Sequence, residues 1–100
     1  MSFGSGPYKV DRVPKVDEQL EQLAETATAL DIRRIFFSSL GAMMDRLESD
    51  PQGFGDPLYR AKHKDGIVCH AMQSPLMVHY AVFEKEKTVI ILDIMLLQRV

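Results

Sequence analysis

The side chains able to move protons or hold phosphate cluster late in this chain. His63, His70 and His79 all lie between residues 57 and 100, together with the basic cluster Arg60, Lys62 and Lys64. An imidazole exchanges protons near neutral pH, and neighbouring cations can steady a phosphate oxygen. If Arg60, Lys62 and Lys64 meet His70 across adjacent strands, they form an anion- or RNA-binding groove. The competing reading is a solvated strand edge, where lysines deter edge-to-edge pairing. No Cys/His spacing suits a zinc site, so no metal is expected. No phosphate loop, nucleophile elbow or triad-like spacing occurs, and no cofactor is expected. Cys69 is the single cysteine. It falls in a predicted strand and reads as a buried, inert thiol.

His79 beside Tyr80 invites an acid–base reading. Adjacent residues of a strand face opposite sides, so the two cannot act on one atom. Their setting is Leu76–Leu97, the stretch around which the chain is organised. LMVHYAVF and TVIILDIMLL flank the charged break EKEK, the pattern of two antiparallel strands in a hairpin. Leu76, Val78, Tyr80 and Val82 share one face; Met77, His79, Ala81 and Phe83 share the other. Tyr80 is assigned to the core. The second face, with Asp93 and Met95 added from the next strand, is too apolar for open solvent. Met77, His79, Phe83, Asp93 and Met95 are therefore the candidate interface.

The break admits two registers. A two-residue turn, Lys85-Glu86, pairs residues that sum to 171 and sets Val78 opposite Asp93. That buries an unpaired carboxylate on the helix-covered face, at a cost of several kcal/mol. A three-residue loop, Lys85–Lys87, gives 172 and sets Val82 opposite Ile90, Tyr80 opposite Leu92, Val78 opposite Ile94 and His79 opposite Asp93. The desolvation cost selects the three-residue loop. His79 then becomes the candidate for an imidazole tuned by a carboxylate.

The elements positioning this hairpin follow from periodicity. Tyr8–Val13 alternates as a short strand. Pro14 suits the first turn of a helix with stripe Val16, Leu20, Leu23, Ala27 and Leu30. Asp31 is expected to cap a second helix, whose stripe is Ile32, Ile35, Phe36, Leu40, Met43 and Leu47. Gly41 suggests close packing between the two helices. Asp50-Pro51 ends the second helix, and PQGFGDP reads as a loop. Leu58–Lys64 and Ile67–Met72 are strands around the Asp65-Gly66 turn. Gln73-Ser74-Pro75 then leads into the hairpin. The fold class is α+β: a strand, a two-helix hairpin, then an antiparallel meander of three or four strands with the helices on one face.

The totals agree. One hundred residues suit one domain. Residues 1–7 are expected to be a flexible N-terminus and 8–100 a single domain. Net charge is −2, with 6 Lys/Arg against 10 Asp/Glu in residues 1–56 and 6 against 4 thereafter. So mild a charge does not support polyanion binding through a broad basic face, and leaves room for a local basic site. MSFGSG lacks the features of a secretory signal. Val89–Leu97 is too short to span a bilayer, so no membrane partner is expected. The expected location is cytoplasmic.

The pattern resembles the RelE/ParE superfamily of bacterial toxins. The resemblance rests on the YKV strand, the helix hairpin closing on LESDP, and the G-x-PL loop of Gly55–Leu58. Val78, Tyr80 and Val82, with Val89, Ile91 and Ile94, complete it. It implies a curved antiparallel sheet carrying two helices on one face, and a partner antitoxin that wraps the protein. RelE-like relatives resemble ribosome-dependent mRNA endonucleases; ParE-like ones poison gyrase. RNA cleavage needs a base, a cation and an acid. The resemblance puts His70 at a position where a basic residue might stand and leaves Arg99 as the sole basic residue after the last strand. These two are the candidate catalytic residues. The chain departs from the pattern at Val68, at Met77, where an arginine is expected, and at Met95, Leu96 and Leu97, and it lacks a terminal tyrosine.

Three functions follow. The first is a toxin-fold protein of a toxin–antitoxin type system with a degenerate RNase site, acting through protein–protein interaction with an antitoxin-like partner. The second is an active endonuclease on ribosome-bound mRNA, using Arg60, Lys62, Lys64, His70 and Arg99. The third is a non-toxic homodimer that buries its apolar face against a second copy.

Overall fold

The computed structural model describes residues 7–61 and 65–97. The elements are β1 (Lys9–Arg12), α1 (Pro14–Ala29), α2 (Arg33–Ser49), α3 (Pro51–Phe54), β2 (Asp56–Arg60), β3 (Gly66–Gln73), β4 (Leu76–Phe83) and β5 (Thr88–Leu96). They form one five-stranded sheet in the order β1-β5-β4-β3-β2. β2 to β5 are the antiparallel meander expected, and β1 closes the far edge parallel to β5. The class is α+β.

Strand alternation sends Cys69, Ala71, Leu76, Val78, Tyr80, Val82, Val89, Ile91 and Ile94 to the helix-bearing face. Val16 and Ala27 of α1 and Phe36, Met43 and Leu47 of α2 close over them. Tyr80 is 0% exposed and donates its hydroxyl to the Pro51 carbonyl at 2.5 Å. Burial pushes its phenol far up from the ordinary value. Gly55 permits this contact: a Cβ there would lie 2.3 Å from the His70 carbonyl oxygen and 2.6 Å from the Tyr80 hydroxyl.

Several helix expectations change. Asp31 does not cap α2; it sits at φ 61, just past the end of α1. The Asp31 N–H donates to Thr28 and the Ile32 N–H to Ala27, which is a Schellman closure with Asp31 in the left-handed position. Asp tolerates that region better than most residues. Leu30, the last member of the α1 stripe, is exposed, and so is Ile35 of α2. The α2 stripe is Phe36, Leu40, Met43 and Leu47, with buried Ser39 bonded to the Ser74 carbonyl at 2.8 Å. Gly41 is not a packing glycine, since a Cβ there meets nothing within 4 Å. PQGFGDP is not wholly loop. Asp50 accepts from the Gly53 N–H at 3.1 Å and caps the single turn of α3.

The hairpin contains both registers. Near the turn the sum is 171: Phe83 pairs with Thr88, Val82 with Val89, and Tyr80 with Ile91. Farther out the sum is 172: His79 pairs with Asp93 and Val78 with Ile94. The expected partners of Tyr80 and Val82 were therefore one residue off. The register shifts between His79 and Tyr80, leaving Leu92 as the extra residue of a β-bulge. The bulge reconciles the four-residue turn Glu84–Lys87, with Lys87 at φ 49, with a carboxylate kept off the helix-covered face.

Candidate functional site

The opposite, open face is built in rows, because paired residues on neighbouring strands point the same way. Met72, Met77 and Met95 form one row. Asp56, His70, His79 and Asp93 form the next, one residue from each of four strands. Tyr59, Val68, Ala81 and Ile90 form the third. Phe83 follows, lying over Gly66, where a Cβ would come within 2.5 Å of its ring.

The histidine row is the polar centre of this face. The His70 and His79 rings are nearly parallel, at 15°, with centroids 6.2 Å apart. His79 Nδ1 stands 3.8 Å from Asp93 Oδ2, an ion-pair distance too long for a direct hydrogen bond. Gln19 of α1 fixes the carboxylate. Its Nε2 donates to Asp93 Oδ1 at 2.5 Å, and its Oε1 accepts the Ile94 N–H at 3.1 Å. β1 ends at Arg12, so on that side β5 has no strand partner beyond Ile91, and Gln19 satisfies the backbone edge at Ile94. Lys15 Nζ approaches Asp93 Oδ1 at 3.9 Å. At the other end of the row Asp56 stands opposite His70.

Beside the row the surface is apolar. Val68 and Ala81 are buried although they lie on the open face, outside the helix-side core. Met72 and Met95 are 55% and 40% exposed, and Met77 is half-buried between them. Methionines in such a row make an adaptable surface. β3, β4 and β5 contain no lysine or arginine.

The expected interface residues Met77, His79, Phe83, Asp93 and Met95 thus share one face, and His70 joins them. Arg60 does not. It pairs with Ile67, on the helix-bearing side of the exposed β2 edge, away from the His70 row. Lys62, Lys64 and Arg99 lie outside the described residues, as does His63. Cys69 is buried, and desolvation, with Asp56 nearby, holds its thiol above the ordinary range. Periodicity missed Gln19, Lys15, Asp56 and Met72. Asp56 and Met72 follow from extending the register across β2, β3 and β4. Gln19 had no signal, because a polar residue beside a helix stripe looks solvated.

An α+β sheet with two helices on one face and an unroofed second face defines the class. The chain is similar to a chain of the crystal structure of the archaeal RelE–RelB complex from Pyrococcus horikoshii OT3. The TM-score is 0.62 at 22% identity, over 94% of this chain and 99% of that one. The protein therefore has a RelE-like fold. No family profile and no curated protein matches the sequence. Among the described residues, no helix is long and apolar enough to cross a membrane.

Proposed function

We infer that this protein is the toxin-fold member of a toxin–antitoxin type pair, acting through protein–protein interaction, with a degenerate RNase site. One observation carries the reading: the open face of β3, β4 and β5 presents a methionine row and Phe83 and no lysine or arginine. A phosphorane carries two negative charges that need a nearby cation. Lys15 reaches the row only through Asp93. An apolar patch rimmed by polar groups suits a partner surface. The similar Pyrococcus protein was solved in complex with RelB, and an antitoxin-like partner is the occupant this reading assigns.

The test is induction of the chain alone in bacteria while growth and mRNA integrity are followed. Intact mRNA, together with association through the open face that Met77→Asp weakens, is the expected result. Discrete mRNA fragments would overturn the degenerate site. They would favour the second reading, a ribosome-dependent endonuclease, which the adjacency of His70 and His79 supports. Unaltered growth with a stable homodimer would instead leave a non-toxic interaction domain.

A further inference from the structure

We propose that the antitoxin-like partner inferred above, on which this inference rests, docks on the open face as a cationic amphipathic helix. It lies across the strands, with arginine or lysine at the Asp56 and Asp93 ends of the histidine row. Charge is the first argument. The row reads acid, imidazole, imidazole, acid from β2 to β5, and β3, β4 and β5 contain no lysine or arginine. Asp56 is exposed at one end. At the other, Gln19 holds Asp93 Oδ1 in place, while Oδ2 is 3.8 Å from His79 Nδ1 and accepts no hydrogen bond among the described residues. A partly desolvated carboxylate with an acceptor to spare favours an incoming cation.

The same charges disfavour a second copy stacked on this face with aligned strands. A two-fold axis running along the strands between β3 and β4 lays Asp56 over the copy's Asp93. An axis running along the row lays each acid over itself. Either way like charges meet. The sheet edges are poor templates for an added strand. β2 carries Pro57, which has no N–H, and an irregular register beside it. Beside β1, the Tyr8 N–H is taken by the Glu48 carbonyl and the Arg12 N–H by Asp11 Oδ1. The face is left as the docking surface.

Geometry selects a helix. Neighbouring strands stand about 4.8 Å apart, close to the ~5.4 Å rise of one helical turn, so side chains one turn apart meet successive strands of a row. Asp56 and Asp93 are separated by three strand spacings, about 14 Å. Two residues about eleven apart on one helical face span ~16 Å, within reach of long basic side chains. Rows on one face are about 6.8 Å apart, so a helix about 10 Å wide above the histidines also covers the methionine row and the Val68–Ala81 row.

The probes are two synthetic helical peptides with the same leucine stripe, carrying either arginine or glutamate at two positions about eleven residues apart. Each is titrated into the full 15N-labelled chain. The arginine peptide should bind at least tenfold tighter, move the signals of Met77, His79 and Phe83, and lose its advantage in high salt. Asp56→Asn and Asp93→Asn should each shrink the preference about threefold. Circular dichroism verifies their fold, and if either fails to fold the two peptides on the unaltered chain decide. Equal binding of both peptides, with Met77→Asp weakening both, would overturn the charge selection and leave the partner surface standing. Signal changes confined to β1 or β2 would show strand addition and overturn the helix. Binding of neither peptide, with a stable homodimer in solution, would overturn both this inference and the partner reading beneath it.

Discussion

The two faces of the same three strands obey different rules. Tyr80 and His79 are neighbours in sequence, yet Tyr80 is fully buried, tethered to Pro51 and stacked on Phe54 of α3, while His79 retains about a third of its side-chain surface. On the helix side the rows Ile67–Val82–Val89, Cys69–Tyr80–Ile91 and Ala71–Val78–Ile94 are core side chains, and Gln73 enters only in the end row with Leu76 and Leu96. On the open side the rows alternate in chemistry: methionine, acid and imidazole, then aliphatic. The helix side is organised by desolvation, which accepts any well-fitting apolar side chain. The open side keeps polar groups in a fixed order that packing alone does not demand. That difference is the reason the open side is proposed as the functional one.

The sharpest way to break the comparison is to truncate one residue on each side. Tyr80→Ala should destabilise the protein by about 3–5 kcal/mol, through the cavity and the loss of the Pro51 tether. His79→Ala should change stability by less than about 1 kcal/mol. Equal losses in urea unfolding would show that both faces are core.

Gln19→Ala comes next. It leaves the Ile94 N–H and the Asp93 carboxylate without their side-chain partner and should lose about 1–2 kcal/mol. Faster hydrogen exchange at Ile94 is the diagnostic readout, and an unchanged rate would remove Gln19 from this role.

Deleting Leu92 tests the bulge. The pairs Tyr80–Ile91 and His79–Asp93 would then follow one another in a single register. The fold should survive with a loss of about 1 kcal/mol for the half-buried side chain. Cross-strand NMR contacts between His79 and Asp93 should persist. Their loss, with Asp93 turned to the helix side, would show that the bulge sets the facing of Asp93.

Gly41→Ala on the outer surface of α2 should stabilise the protein by about 0.5–1 kcal/mol, since nothing opposes the new methyl group. A fall in the melting temperature would show that α2 is covered where the structure leaves it open.

The smallest effect lies at the turn joining β4 and β5. Glu84 is held below its ordinary value by hydrogen bonds from Lys87 and then Tyr8. A depressed carboxylate contributes stability that is complete above its unfolded value and lost as pH falls through the folded one. The contribution should therefore fade as pH falls below the ordinary carboxylate range, and Glu84→Gln should flatten that part of the acid-unfolding curve. An identical curve for the variant would remove the network from the account.

Sequence by itself determined the element order, the class and the division of β4 into two faces, because period-two and helical patterns are local properties of the chain. It also placed His79 opposite Asp93, through the cost of burying a carboxylate. The His70–His79 pairing was within reach, since a two-residue turn at Ser74-Pro75 fixes it. Other features belong to the tertiary structure alone. The Leu92 bulge arises where turn geometry and side-chain facing demand registers one residue apart. The anchoring of Asp93 by Gln19 needs α1 to pass the open edge of β5 beyond the end of β1. The exposure of Leu30 and Ile35 follows from how far each helix lies over the sheet. Each depends on where separate elements come to rest against one another, and no local pattern encodes that distance.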